Sequence, residues 1–195
     1  MTLILASASP RRAQLLREAG YRFRVAPSPV EEPTRRPAAM PVDVWPIALA
    51  YWKAAAVQEG LAGQAAKREP TILGADTIVV LHGRILGKPR DRRHAREMLR
   101  RLSGTTHQVI TGLALLCGQR HRFSRAVSTC RIRRLAEAWL TEYLDSGLWE
   151  GKAGAYGIQD HDDPWVTLVK GEWSNVVGLP MGLLGRELAA FLEGA

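Results

Sequence analysis

Leu5-Ala6-Ser7-Ala8-Ser9-Pro10-Arg11-Arg12 is the stretch from which the rest of the chain can be read. The apolar run Leu3-Ile4-Leu5-Ala6 has the character of a buried strand. Small residues follow, and then Ala13-Gln14-Leu15-Leu16-Arg17-Glu18 at helical spacing. Ser9 is a natural N-cap and Pro10 suits the first helical position. The unit is a strand, a short turn and a helix. The turn carries free backbone N–H groups and the positive end of the helix dipole. Two guanidiniums lie within one turn of that point, so the corner is suited to an anion, above all a polyphosphate. The competing reading is a capped helix with solvated arginines.

With 195 residues the chain is expected to form one domain, residues 1–195, with room for two lobes. A hydrophobic content of 46% supplies a core and excludes a disordered chain. No apolar run reaches the ~18 residues of a membrane span. No basic segment precedes a long apolar stretch at the N-terminus, so no signal peptide is expected. Cys117 and Cys130 are the only cysteines, lack metal-ligand spacing and read as reduced thiols. These features favour a cytoplasmic location and no membrane partner.

The net charge of +8 admits nucleic acid, a membrane surface or small anions as partners. The densest basic run is Arg90 to Arg101. Its apolar positions Ala95, Met98 and Leu99, with Leu102 beyond, fall on one helical stripe, which makes the arginines a solvated face. Zinc-finger spacing and aromatic RNA-binding signatures are missing, so nucleic acid is disfavoured.

Strand-like and helix-like runs alternate. Tyr21 to Ala26 reads as a strand, Pro27 to Pro41 as a proline-rich loop, and Val44 to Glu59 as a helix with Asp43 as its cap. Thr71 to Leu73 and Ile78 to Leu81 read as two strands, and His82-Gly83 as a hairpin turn toward Ile85-Leu86. Val109 to Leu116 and Phe123 to Ile132 read as a long pair of strands. Leu135 to Asp145 is a helix with Leu135, Trp139, Leu140, Tyr143 and Leu144 inward, and a last helix runs to Leu192. The pattern predicts an α/β fold with a mixed twisted sheet flanked by helices.

Short islands interrupt this frame. Gly74-Ala75-Asp76-Thr77 places a carboxylate where a strand is expected to end, a common place for a catalytic or metal-binding Asp and equally for a turn Asp. Gly87-Lys88-Pro89 holds a lysine in a rigid turn. Lys53 interrupts an apolar helix and either snorkels to solvent or points into a cleft. Glu31-Glu32 is a metal-ligand candidate or a solvated pair. Ser103-Gly104 and Thr111-Gly112 read as turns. Lys152 to Gln159, with its small residues and Tyr156, suits a loop packed on a flat ligand or an ordinary tight loop.

In their order, Ser7-x-Ser9-Pro10-Arg11-Arg12, Glu31-Glu32, Lys53-Ala54, Gly74-Ala75-Asp76-Thr77, Gly87-Lys88-Pro89, Leu102-Ser103-Gly104, Thr106-His107, Lys152 to Gln159 and Val176 to Pro180 resemble the Maf proteins. The resemblance spans Ser7 to Pro180. It implies an inosine-triphosphatase-like α/β fold with a central cleft and a cytoplasmic nucleoside triphosphate pyrophosphatase. Arg11, Thr77 and Gln159 resemble the branch acting on dTTP and UTP; the branch acting on 7-methyl-GTP carries Trp, Gln and Glu at the corresponding motif positions. The Gln159 amide can both give and take a hydrogen bond, as a pyrimidine imide edge requires. The chain departs from the pattern at Asp160 to Ser174 and in the Pro46-bearing helix.

The resemblance further implies roles. Asp76 is the proton acceptor; Arg11, Thr77 and Gln159 read the base; Ser9, Arg12, Lys53 and Lys88 bind phosphate. Glu32 and Asp76 would hold a divalent cation, Mg²⁺ or Mn²⁺, suited to hard oxygen ligands. A homodimer and a link to cell-division arrest are implied as well. The rivals are a pyrophosphatase of other nucleotides, such as 7-methyl-GTP, and a nucleic-acid-binding inhibitor of septum formation.

Overall fold

A computed structural model describes residues 2–31, 33, 35–61, 69–160 and 165–193. In chain order the elements are β1 (Leu3–Leu5), α1 (Pro10–Glu18), β2 (Phe23–Val25), α2 (Trp45–Leu61), β3 (Thr71–Leu81), β4 (Arg84–Leu86), α3 (Arg92–Leu102) and β5 (Thr106–Cys117). They continue with β6 (Arg120–Ile132), α4 (Glu137–Asp145), a 3-10 turn at Ala153–Ala155, β7 (Val166–Lys170), α5 (Trp173–Val177) and α6 (Met181–Glu193). The strands form one mixed sheet in the order β2-β1-β3-β5-β6-β7, with β4 paired to β3. Strand β1 is parallel to both β2 and β3, whereas β4 and β7 run antiparallel to their neighbours. The predicted α/β class with a mixed, helix-flanked sheet is the one observed.

The chain divides into two compact units. The first comprises residues 1–76, 111–126 and 178–195; the second comprises 77–110 and 127–177. In the first, α1 starts where the sequence places it: Ser9 is extended at the N-cap and Pro10 opens the helix. The buried face of α1 is Arg12, Ala13, Leu15 and Leu16, an i, i+3, i+4 set. Helix α2 lies against the sheet over a core that includes Ile4, Ala50, Ala54, Val57, Ile72 and Ala114.

Two glycines set how close α2 comes. A Cβ on Gly74 would lie 2.0 Å from the Ala50 carbonyl oxygen, and one on Gly112 would lie 2.3 Å from Ile47 N. Backbone meets backbone at both places, one helical turn apart. This close approach corrects two expectations. Gly74 to Thr77 does not end a strand, because β3 runs through from Thr71 to Leu81. Thr111-Gly112 is no turn, because both residues lie inside β5. In each case glycine serves helix–sheet contact rather than chain reversal.

The second unit packs α3 and α4 together over a core containing Leu99, Leu102, Ile132, Tyr143, Tyr156 and Trp165. The buried residues of α3 are Ala95, Met98, Leu99 and Leu102, the four its periodicity selects. Asp91 caps α3 by accepting from His94 N at 2.7 Å. Trp139 stacks on Tyr143 at 5.1 Å between ring centroids, and Trp165 tilts onto both. Each such ring pair adds about 0.5–1.5 kcal/mol beyond its buried area. The hairpin turn at His82-Gly83 is present, with positive φ at both residues as a type I′ turn requires. The segment after Gln159 holds β7 and α5, neither of which the sequence reading anticipated. Asp43, expected to cap α2, pairs with Arg125 at 2.7 Å. Both cysteines are free thiols. Among the described residues no helix is long and apolar enough to cross a membrane.

Candidate functional site

The first unit gathers five of the predicted residues: Ser9, Arg11, Arg12, Lys53 and Asp76. Their placement follows from the parallel pairing of β1 with β3. Leu5 is level with Leu73, and Ala6 N donates to Leu73 O at 2.8 Å. The chain then leaves β1 through Ser7 and enters α1 at the level where β3 reaches Ala75 and Asp76. The carboxyl ends of parallel strands, followed by a helix N-terminus, are where open α/β sheets bind ligands.

Period-two alternation puts Gly74 and Asp76 on the same face of β3, the face α2 covers. On α2, Ala50 and Lys53 are three residues apart and so share a side. With Ala50 resting on Gly74, Lys53 is carried to Asp76. Lys53 Nζ donates to Asp76 Oδ1 at 2.5 Å, with side-chain exposures of 9% and 10%. The lysine neither snorkels nor floats; it is the buried partner of the predicted proton acceptor.

At the start of α1, Ser9 occupies the N-cap but its hydroxyl makes no capping bond. Ser7, to which the sequence reading gave no role, is the hub instead. Its Oγ accepts from Ser9 N at 3.2 Å and from Arg12 Nη1 at 3.0 Å. Arg12 Nε donates to Gly178 O at 2.8 Å, and the side chain is buried. Arg12 therefore ties α1 to the segment that opens α6. Arg11, its neighbour, is half-buried. Only the repeated small residues around Ser7 and the Gly178-Leu179-Pro180 triplet hinted at these contacts.

The second unit holds Thr77, Lys88 and Gln159. Thr77 is half-buried in β3, while Lys88 and Gln159 are exposed on loops. Those loops touch: Gly154 N donates to Gly87 O at 3.0 Å. The loop from Lys152 to Asp160 has internal bracing that the sequence did not disclose. Lys152 Nζ pairs with Asp160 Oδ2, which also accepts from the Tyr143 hydroxyl at 3.0 Å. Beneath the loop, the Tyr156 hydroxyl is hydrogen-bonded to His107 Nε2. Burial pushes the His107 imidazole down to about 4 and the Cys130 thiol up to about 11, so both are neutral near pH 7.

Glu32 lies outside the described residues. Among the described residues no group of three or more His, Cys, Asp or Glu could hold a metal ion. Of the predicted pair, the described carboxylate is Asp76, oriented by Lys53.

The basic helix α3 is exposed as expected, and much of its charge is matched. Arg96 and Arg100 pair with Glu137, and Arg92 pairs with Asp145, both on α4. Hydrogen bonding to Arg100 holds the Glu137 carboxyl below the usual carboxylate range. This face offers a phosphate backbone fewer uncompensated cations than the sequence count implies.

The family model described as "Maf-like protein" matches residues 2–191. A protein of Exiguobacterium sibiricum named dTTP/UTP pyrophosphatase is 41% identical over 189 residues, covering 97% of this chain and 92% of the relative. One of the same name from Rhodopirellula baltica is 43% identical over 197 residues, covering 100% and 84%. Among solved structures, the Staphylococcus aureus Ham1 protein is 15% identical with a TM-score of 0.51, covering 100% of this chain and 99% of that one, a likeness of fold alone.

Proposed function

The chain belongs to the Maf-like protein family, and on that premise we propose that it hydrolyses dTTP and UTP to the nucleoside monophosphate and pyrophosphate. The relatives that bear the name dTTP/UTP pyrophosphatase match nearly the whole chain, which supports the substrate class. The observation that carries the chemistry is the buried Lys53–Asp76 pair, level with the carboxyl end of β1 and the N-terminus of α1.

The obstacle in such a reaction is a run of phosphate charges facing an incoming oxygen. Positioning and electrostatic stabilisation supply most of the catalysis. The α1 N-terminus and Arg11 offer donors and positive charge to the triphosphate. Arg12 holds the corner in shape through Ser7 and Gly178 and adds its charge. Lys53 fixes the Asp76 carboxylate, which takes a proton from the attacking water. The new P–O bond forms at the α-phosphorus, the α–β anhydride bond breaks, and pyrophosphate leaves. By motif resemblance Lys88 is a further phosphate ligand and Arg11, Thr77 and Gln159 are the base-reading residues.

A magnesium ion carried by a triphosphate needs only one or two protein carboxylates, its other ligands being phosphate oxygens and water. Asp76 fits that demand, with Glu32 as the second candidate. When bound, the ion would neutralise phosphate charge. A cytoplasmic role in cleaning nucleotide pools and a homodimer belong to the same reading.

The test is pyrophosphate release from a panel of nucleoside triphosphates with Mg²⁺. Preference for dTTP and UTP is expected. Preference for 7-methyl-GTP would move the chain to the other branch, and no release from any nucleotide would overturn the reading.

A further inference from the structure

Gln159 is exposed on a loop, yet its backbone is held from several sides. It sits in a tight turn closed by Asp160 N donating to Gly157 O at 3.3 Å. The next side chain, Asp160, turns inward. Its carboxylate is taken by Lys152 at the far end of the same loop and by Tyr143 of α4. The Lys152 and Asp160 side chains are 10% and 6% exposed. Gly157 makes room for this carboxylate, since a Cβ there would lie 2.6 Å from both Asp160 oxygens. On the other side of Gly157, Tyr156 is buried and bonded to His107.

A connecting loop of nine residues ordinarily samples many backbone states, and each ordered residue costs conformational entropy. A buried ion pair closing its two ends is a poor source of net stability, because desolvation offsets the attraction. Such a pair does fix geometry. We infer that the Lys152–Asp160 pair is a positioning device that presents the Gln159 amide in one orientation, and so helps determine which base the protein accepts. The inference rests on the proposed role of Gln159. Lys152 and Asp160 act through Gln159 and need not touch substrate.

The effect of such a device is on discrimination rather than on the chemical step. A displacement of about 1 Å in a positioning group can cost on the order of 10²-fold. Asp160→Ala and Lys152→Met each open the clamp, and Gly157→Ala pushes on the Asp160 carboxylate while leaving both partners in place. The reading is the ratio of kcat/KM for dTTP to that for dCTP, whose base edge differs in donor and acceptor order. Thermal melting is measured on the same samples, and Gln159→Ala serves as reference.

Each clamp variant is expected to lower the dTTP-to-dCTP ratio roughly 10- to 100-fold. The loss falls on KM for dTTP, and kcat on dCTP stays within about twofold of the parent, as expected for a step the clamp does not touch. If Gln159→Ala lowers the ratio and the clamp variants do not, the clamp is structural and the inference is overturned alone. An equal loss on both nucleotides has the same meaning. If Gln159→Ala leaves the ratio unmoved, the base-reading role fails first and the inference falls with it. Should the alanine and methionine variants not fold, Gly157→Ala decides.

Discussion

Lys53 and Asp76, 23 positions apart in sequence, meet at 2.5 Å in a setting where each side chain is about nine-tenths buried. Removing either partner therefore has two separable effects, one on stability and one on turnover. Lys53→Met removes the lysine half of a buried ion pair and is expected to lower stability by up to about 3–5 kcal/mol in urea unfolding. Asp76→Asn keeps shape and removes basicity. Turnover on dTTP is expected to fall about 10²–10⁴-fold while nucleotide binding survives. Near-parental turnover would show that Asp76 is not the proton acceptor.

Arg12→Ala removes hydrogen bonds to Gly178 O and Ser7 Oγ from a buried corner. A loss of about 1–3 kcal/mol in stability is expected from removing these charge-assisted bonds. A raised KM for the triphosphate should accompany it. Arg12→Lys is expected to rescue little, because an ammonium lacks the planar fork that reaches two acceptors at once. Unchanged melting together with unchanged KM would make Arg12 dispensable.

Gly74→Ala and Gly60→Ala should move stability in opposite directions. At Gly74 the new methyl would lie 2.0 Å from a carbonyl oxygen, so α2 or β3 must shift; overpacking of this kind costs about 1–3 kcal/mol or more. Gly60 is an exposed position near the end of α2, with nothing within 4 Å of an added Cβ. There alanine is expected to stabilise by about 0.4–1 kcal/mol. The sign of each change in urea midpoint is the measurement.

Arg11→Trp, Thr77→Gln and Gln159→Glu, made together, should lower kcat/KM on dTTP and UTP relative to 7-methyl-GTP. A polar site rejects a substrate whose donors and acceptors no longer match, because the unpaired groups stay desolvated. A ratio that does not move would remove these three residues from base recognition.

His107 gives the protein an acid-sensitive limb. Its imidazole is held at about 4 by burial, against 6.5 in the unfolded chain. Between those values the unfolded chain binds one proton more than the folded one, so stability rises with pH. The contribution is intact above pH 6.5 and lost as pH falls toward about 4, a change of roughly 3 kcal/mol. Urea midpoints from pH 4 to 7 should show this slope, and His107→Gln should flatten it.

Local pattern made α1, α3 and the hairpins legible, because caps, turn residues and apolar spacing act within a few residues. The four buried residues of α3 were fixed by periodicity alone. Gly74 and Gly112 were misread, since a glycine that reverses the chain and one that admits a neighbouring backbone look alike in one dimension. Strand β7 is a five-residue edge strand with little alternation to announce it. Motif order singled out Asp76, Lys53 and Arg12 as candidates, and all three are buried. That Lys53 seats on Asp76, or that Arg12 reaches Gly178, depends on how α2 and α6 dock, which no local spacing contains.

The bare rungs at Gly74 and Gly112 have an evolutionary corollary. Because α2 rests on the sheet through main-chain atoms at both points, its closest approach to β3 is set there by backbone rather than by side-chain size. The Lys53–Asp76 spacing thus hangs on two residues that have no side chain at all, and the unit should tolerate substitution least at Gly74 and Gly112.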